Sequence, residues 1–486
     1  MTLTTLILYI ALASLVITLI THFALKATKN LGVSLLQNFC GAWFLFSGYV
    51  KVADPLGTAY KMEQYFDEFS STAAGTSFSF LEPLFQWSSD ISIYISMFMV
   101  VLEVVLGLML ILGTKPKFTA WAFFWIMVSF TILTGFTFLT GYVPSGSNFF
   151  EFSAWGKYVE TNMRVTDCGC FGDFLKLEPY TSFIKDCLLM IPAVIFIVMN
   201  KSMHQLLSPF TRSAIGWGSV VAASLFGMSN FIWGLPIHDF RPFAEDVNIR
   251  ERKALEEEAA SNVDVLAYGI TSKATGEYQE LPYDVYMKQY KDFPSADFEL
   301  EQITSELEVP HTKISEFELE DGDGNPVHEE VLAYEGYTAM FVAYKLYDKG
   351  MERKEQMVQD SMFVIDEENP DSPVRVFAGM QERSEVADIT MWSPWYTKKW
   401  TEHVVPFADA AEAAGWKVFA TTAYTDASRV DAFKHAVQFA HPIYEGDDIM
   451  LKTIIRSSPG LLILKDSKVI AKYHVNDIPD FGDLEL

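Results

Sequence analysis

Cysteine is scarce: four in 486 residues, at positions 40, 168, 170 and 187, with none beyond. So few cannot staple a chain of this length, which excludes a disulfide scaffold. Basic charge is scarce as well. Lys and Arg number 36 against 62 Asp and Glu, a formal net charge of -26, and no basic stripe occurs. Such a surface repels a phosphate backbone, which argues against nucleic acid as a partner. A Walker-type glycine loop, an HExxH helix and a convincing Ser/His/Asp set are all missing, so nucleotide, zinc-protease and serine-hydrolase chemistry have no support. No positive charge precedes the first apolar run; the first lysine is Lys26, after it. A secretory signal would carry its charge in front, so residues 1–25 read as an uncleaved anchor.

What is abundant is apolar surface: 50% hydrophobic and 15% aromatic residues, far too much for a solvated, disordered chain. Its distribution is uneven. Up to Phe243 there are 13 basic and 14 acidic residues; the remainder holds 23 and 48. A nearly neutral front is joined to a strongly acidic back. Six stretches of the front, at about 3–25, 34–53, 91–113, 117–140, 182–200 and 213–233, have the roughly 20 apolar residues that cross a bilayer. Leu3 to Leu25 and Phe118 to Phe149 contain no Asp, Glu, Lys or Arg, which is hard to accommodate anywhere but in lipid. The loops carrying Lys26 and Lys29, Lys115 and Lys117, and Lys201 to Arg212 are basic and alternate with acidic ones. Basic loops face the cytoplasm. Six spans then leave both termini, and the acidic back half, on the outer side.

In that back half, residues 246–311 read as a connector with a charged helix from Arg250. Beyond it, Ile314 to Glu320 alternates apolar and polar, and Asp321-Gly-Asp-Gly-Asn325 is a turn signal, together predicting a hairpin. Tyr337 to Tyr344 and Trp416 to Thr422 read as buried strands. Trp400 to Gly415 and Ala432 to Phe439 have helical spacing, the first ending at a C-cap glycine. Gly460 to Tyr473, turning at Lys465-Asp-Ser-Lys468, forms a closing hairpin. The order predicts an α/β domain around a central sheet. A stretch at about 348–396 stands apart as an insertion. Its Met391-Trp-Ser-Pro-Trp395 reads either as an apolar contact site built on Trp392 and Trp395 or as a buried loop.

Candidate chemistry lies in the front. Cys168-Gly-Cys170 precedes the fifth span, and glycine between two thiols permits the tight bend of an i,i+2 bridge. An oxidising compartment would make such a pair cycle or stay bridged; a redox pair, a structural disulfide and a metal pair all remain open, the last short of the four ligands zinc prefers. Cys187, a few residues into the fifth span, is a resolving thiol or a small core residue; Cys40 reads as core. Glu103 falls near the middle of the third span. A carboxylate there is protonated or hydrogen-bonded within the bundle, and is a functional candidate or a helix–helix contact. Lys51 ends the second span, where it snorkels; its axial offset argues against a direct pair with Glu103.

Two resemblances follow from these residues. Phe44-Leu-Phe-Ser-Gly-Tyr-Val-Lys51 with its exit loop, Glu103-Val-Val-Leu-Gly107 with Gly113, and Cys168-Gly-Cys-Phe-Gly-Asp173 together resemble the DoxX-like membrane proteins and, in the last motif, their methylamine-utilisation MauE branch, over residues 34–200. Arg456-Ser-Ser-Pro459-Gly-Leu-Leu-Ile-Leu464 and the strand order resemble a thioredoxin-like domain over 312–486, in which a cis-proline at Pro459 would precede the hairpin strand. The family's redox cysteines have no counterpart here, so that domain would be unable to exchange disulfides by itself. The implied organisation is an anchor at 1–33, a four-helix unit at 34–200, a sixth helix and exit at 201–245, the connector, and the thioredoxin-like domain. The implied setting is a bacterial inner membrane with the last domain in the periplasm. One functional reading follows from the cysteines: Cys168 and Cys170 pass electrons between a periplasmic protein client and a membrane carrier, for which quinone is the candidate cofactor, with Glu103 handling protons. The other is a non-catalytic scaffold or accessory subunit of a larger envelope complex.

Overall fold

The computed structural model describes all residues except 1, 166–167, 274, 276, 306, 366–374 and 485–486, and the side chains of 354–388 within their strands. The chain divides into two units, Met1–Arg241 and Pro242–Leu486.

The first unit is helical: α1 Leu3–Leu19, α2 Leu31–Ala53, α3 Pro55–Ala73, α4 Glu82–Asp90, α5 Ser92–Leu112, α6 Pro116–Thr140, α7 Pro179–Val198 and α8 Pro209–Met228. Five helical stretches are long and apolar enough to cross a membrane, Leu3–Ala24, Ser92–Leu112, Pro116–Thr140, Pro179–Val198 and Pro209–Trp233. This is a multi-pass membrane unit. The stretch expected at 34–53 is a 23-residue helix but is not among the five. The reason is its position. α2 buries Gln37, Asn38, Ser47, Gly48 and Lys51 among its neighbours, and a helix shielded by other helices can carry polar groups that a lipid-facing helix cannot.

α2 and α5 approach closely at glycines. A Cβ on Gly107 would stand 2.8 Å from the Leu45 backbone nitrogen and 2.9 Å from the Gly41 carbonyl oxygen; one on Gly48 would stand 3.0 Å from the Val104 nitrogen. Small residues at such a contact let backbones meet and fix the helix–helix register. Here the register is staggered. Ser96 Oγ donates to the Pro55 carbonyl at 3.1 Å, so α5 has already run several residues before it reaches the level where α2 ends. The sequence places Lys51 at a membrane surface and Glu103 far below it; the stagger corrects this and brings the two residues level.

The second unit begins with α9 Ile249–Ser261. Residues 246–311 are more than a connector: β1 Val265–Ser272, β2 Tyr278–Pro282 and β3 Phe298–Thr304 form an antiparallel sheet in the order β2-β1-β3, with α10 Tyr283–Gln289 against it. Tyr268 stacks on Tyr286 at 3.9 Å. The predicted hairpin is short: β4 Leu319–Glu320 pairs with a later strand and bridges its own return chain at Glu320 and Pro326, with Val327 N–H donating to the Leu319 carbonyl at 2.8 Å. The Asp321 turn itself forms: its carboxylate accepts from the backbone N–H groups of Asp323 and Asn325, both at 2.9 Å.

α11 His328–Ala333 and β5 Tyr337–Val342 follow, then β6 Asp348–Ile365 and β7 Arg375–Trp392, a two-stranded antiparallel ribbon where a loop-like insertion was expected. The remaining elements are α12 Pro394–Lys399, α13 Val405–Ala413, β8 Lys417–Thr422, α14 Ala427–Val437, β9 Ile443–Gly446, α15 Asp448–Ile454, β10 Gly460–Lys465 and β11 Lys468–His474. Trp400–Val404 winds as a π turn ahead of α13, and Gly415, at φ +85°, ends that helix as its capping role requires. The main sheet runs β11-β10-β5-β8-β9-β4, with β5, β8 and β9 mutually parallel. Its central strands are apolar on both faces because helices cover both; Ala339 to Val342 and Leu461 to Ile463 are fully buried. The Ser458–Pro459 peptide before β10 is cis. Trp392 packs on Phe433 at 4.9 Å, while Trp395 is 51% exposed beside Tyr347, so the Met391–Trp395 stretch is partly buried at one tryptophan and open at the other.

Candidate functional site

The loop between α6 and α7 folds back onto the helices, and at the cysteines it is anchored by Phe171. Phe171 is fully buried, with its ring 5.5 Å from Trp43 and 6.1 Å from Phe46 of α2. Ser47 Oγ donates to the Cys170 carbonyl at 3.1 Å. Gly169 lies at φ +58° with the Lys61 stem against it; the left-handed backbone that turns one cysteine past the other is one that glycine adopts without strain. Cys170 carries a free thiol and packs on the main core of the bundle.

This fold-back closes a cavity of about 50 Å³, lined among others by Cys168, Gly169, Cys170, Lys51, Glu103, Lys185 and Asp186. Lys51 Nζ donates to Glu103 Oε2 at 2.8 Å, the two side chains 7% and 2% exposed, and lies 4.7 Å over the Phe130 ring. The pair excluded from the sequence is therefore formed, and of the two states expected for Glu103 it is the one bonded within the bundle. Lys185 and Asp186, neighbours on α7, make a second pair, and Asp186 Oδ2 accepts from Thr134 Oγ1 at 3.1 Å. Neither residue was singled out in the sequence. The available signal was a Lys-Asp dipeptide inside an apolar span, where an ionisable residue needs a partner or a role.

Cys187 is the next residue on α7 but does not line the cavity, so it stands outside the group formed by Cys168 and Cys170. Cys40 is fully buried in the bundle core, as expected. Among the described residues no three His, Cys, Asp or Glu side chains cluster so as to hold a metal ion. Pro459, Trp392 and Trp395 belong to the second unit and to its own packing.

Burial pushes the Cys170 thiol above its ordinary range; the Lys185 ammonium opposes the shift and the Asp186 carboxylate adds to it. A raised value leaves less thiolate at neutral pH and makes reactivity climb further into alkali. Modification of Cys170 by methyl methanethiosulfonate, followed by mass of its peptide, is expected to go on rising at pH values where a thiol of ordinary pKa, about 8.5, has levelled off. A plateau at or below pH ~8 would contradict this.

The volume decides what the cavity holds. Roughly 10–15 Å³ admits one water, and small-molecule sites run from about 300 Å³. About 50 Å³ is room for a few waters among two thiols and two ion pairs, and too little for the ring of a redox carrier. The arrangement can therefore exchange protons with its thiols but not stack a cofactor on them. No known protein family, no curated protein and no solved structure matches this chain.

Proposed function

We propose that the protein is a membrane thiol oxidoreductase of the DoxX/MauE type, in which Cys168 and Cys170 relay electrons from a protein client to a two-electron carrier in the membrane, quinone being the candidate. The observation that carries this reading is the convergence of Cys168, Cys170, Lys51, Glu103, Lys185 and Asp186 on one cavity. A buried charge pair is costly unless well compensated, and two such pairs around a thiol turn exceed what a structural loop needs.

The chemistry balances as follows. A client thiolate attacks Cys168 Sγ of the oxidised pair; the Cys168–Cys170 bond breaks and Cys170 leaves as thiolate. A second client thiolate attacks the client sulfur of the mixed disulfide, forming the client disulfide and releasing Cys168 as thiolate. Reoxidation forms the Cys168–Cys170 bond and passes two electrons to the carrier. Two protons accompany them, and the Glu103 and Asp186 carboxylates are the first groups that can take them up. Cys168 is the client-facing thiol in this scheme, because Cys170 is the one packed on the bundle core.

The second unit contains no cysteine. In this reading it is a thioredoxin-like domain on the periplasmic side of the inner membrane, holding the client rather than reacting with it. Its sheet order and the exposed Trp395 support that role. The competing reading, a redox-inert scaffold in an envelope complex, rests on the same missing cysteines. The test is to acid-quench whole cells, alkylate free thiols and separate oxidised from reduced protein. A mixed population at Cys168 and Cys170 that shifts to fully reduced on depletion of quinone is expected. A pair that stays wholly oxidised in both conditions would leave only the scaffold.

A further inference from the structure

A second cavity, of about 480 Å³, lies beside the thiol site. Its walls are phenylalanines: Phe69 of α3, Phe85 of α4, Phe136 of α6, Phe183 of α7, and Phe149 and Phe150 of the following loop. Phe69 meets Phe136 edge-on at 4.9 Å and Phe85 at 5.5 Å, and Phe136 meets Phe149 at 5.2 Å. The rings brace one another around the space instead of filling it. The volume lies within the range of small-molecule sites, and the space is open at its edge, where Phe78 and Phe150 are 45% and 40% exposed, so an apolar molecule can enter it from outside the bundle.

Water is a poor occupant. A trapped water needs two to four polar partners. The side-chain hydroxyls of the lining are those of Thr72 and Thr131, and both are engaged. Thr72 Oγ1 accepts from Arg164 at 2.8 Å and Thr131 Oγ1 donates to the Met127 carbonyl at 2.8 Å. A charged lipid headgroup is equally poorly served. The lining has no ionisable residue, and Arg164, held by Thr72, bonds also to the Ser147 carbonyl at 2.8 Å and lies 3.7 Å from Glu68. Access is from the hydrocarbon: Ile132, on the spanning helix α6, is 59% exposed at the cavity edge.

We infer that this phenylalanine box binds an uncharged molecule of the lipid phase, its apolar ring or unsaturated chain lying against the phenylalanine rings. The box is separated from the thiol cavity by one helical turn on α3 and by adjacent residues on α6. Tyr65 and Thr134 line the thiol cavity, and Phe69 and Gly135 the box. Binding here follows from the box alone; that the ligand serves as the carrier rests on the thiol reading.

The test uses the full chain in nanodiscs with two photoreactive probes at equal mole fraction, a diazirine-bearing isoprenoid alcohol and a diazirine-bearing phosphatidylcholine. The isoprenoid is expected to label the peptides holding Phe69, Phe136 and Phe150 in preference to the phospholipid, and Thr131→Phe, which fills the box, is expected to abolish that labelling while other sites are unchanged. Ala73→Phe fills the box from α3 and serves should the first variant not fold. Equal labelling by phosphatidylcholine, or labelling that survives in a folded filled variant, would overturn the inference. Box labelling without thiol cycling in cells would keep the site and remove its role as the carrier's seat.

Discussion

Replacing Lys51 with methionine is expected to destabilise the membrane unit by about 3–5 kcal/mol, the usual cost of stranding one member of a buried pair. Glu103 would then be left 2% exposed with no cation at 2.8 Å. Glu103→Leu should cost a similar amount by stranding the ammonium. The double variant Lys51→Met/Glu103→Leu is the informative one. With both charges gone, the desolvation that opposes folding is gone as well, and apolar replacements of similar volume are often close to neutral. It should therefore unfold nearer to the wild type than to either single variant when midpoints are compared in one mild detergent. The coupling so measured should exceed the roughly 0.5 kcal/mol that separates additive from interacting sites. Two single effects that merely add would show that the pair is not formed in the protein. Because the double variant is expected to fold, its thiol chemistry can be read separately. Retained stability with lost cycling would assign the pair to proton handling, and retained cycling would make it a packing feature.

Cys170→Ser is expected to accumulate a mixed disulfide between Cys168 and an oxidised client protein, formed when the Cys168 thiolate attacks the client disulfide and one client sulfur leaves as thiolate, and visible as a slower band on non-reducing gels that collapses with reductant. In the wild type, the Cys170 thiolate competes for any Cys168 adduct from two residues away, and an intramolecular nucleophile held at the right geometry has an effective concentration no free thiol reaches. Removing it leaves the client's own second thiol as the one nucleophile held near the adduct, so the mixed disulfide persists longer. Cys168→Ser should give no adduct, since Cys170 is held against the bundle core. Cys187→Ser should behave as wild type, because Cys187 does not share the cavity. Adducts of equal intensity in the two variants at 168 and 170, or none in either, would contradict the assignment of roles.

The central strands of the second unit were legible because each is a continuous apolar run bounded by turn residues. Tyr337–Val342, Lys417–Thr422 and Gly460–Lys465 fall where the pattern places them, and the edge strand Lys468–His474 follows from the turn before it. The small sheet at 265–304 was not. β1 alone has a buried stretch, and the burial of β2 and β3 is too slight to leave a strong alternation. The ribbon of β6 and β7 was missed for a related reason. Glu352 to Glu355 and Gln381 to Glu385 are polar at successive positions, and the strands pair through their backbones across the ribbon. In the front half, apolar length identified the helices, and the departure at α2 came from burial inside the bundle, which lets a long helix hold Gln37, Asn38 and Lys51.

Composition and patterning by themselves determined that a neutral, helical membrane unit precedes an acidic α/β unit. They also determined that Cys168 and Cys170 sit together in a tight turn, because apolar length, charge distribution and the spacing of two cysteines are local properties. Only the tertiary structure decided that Lys51 faces Glu103 and that Lys185 and Asp186 join the same cavity. Periodicity reports which face of a helix is buried and says nothing of how far one helix is shifted along another. That shift depends on where two backbones can touch, at Gly41, Gly48 and Gly107, and it brings together charges 52 residues apart.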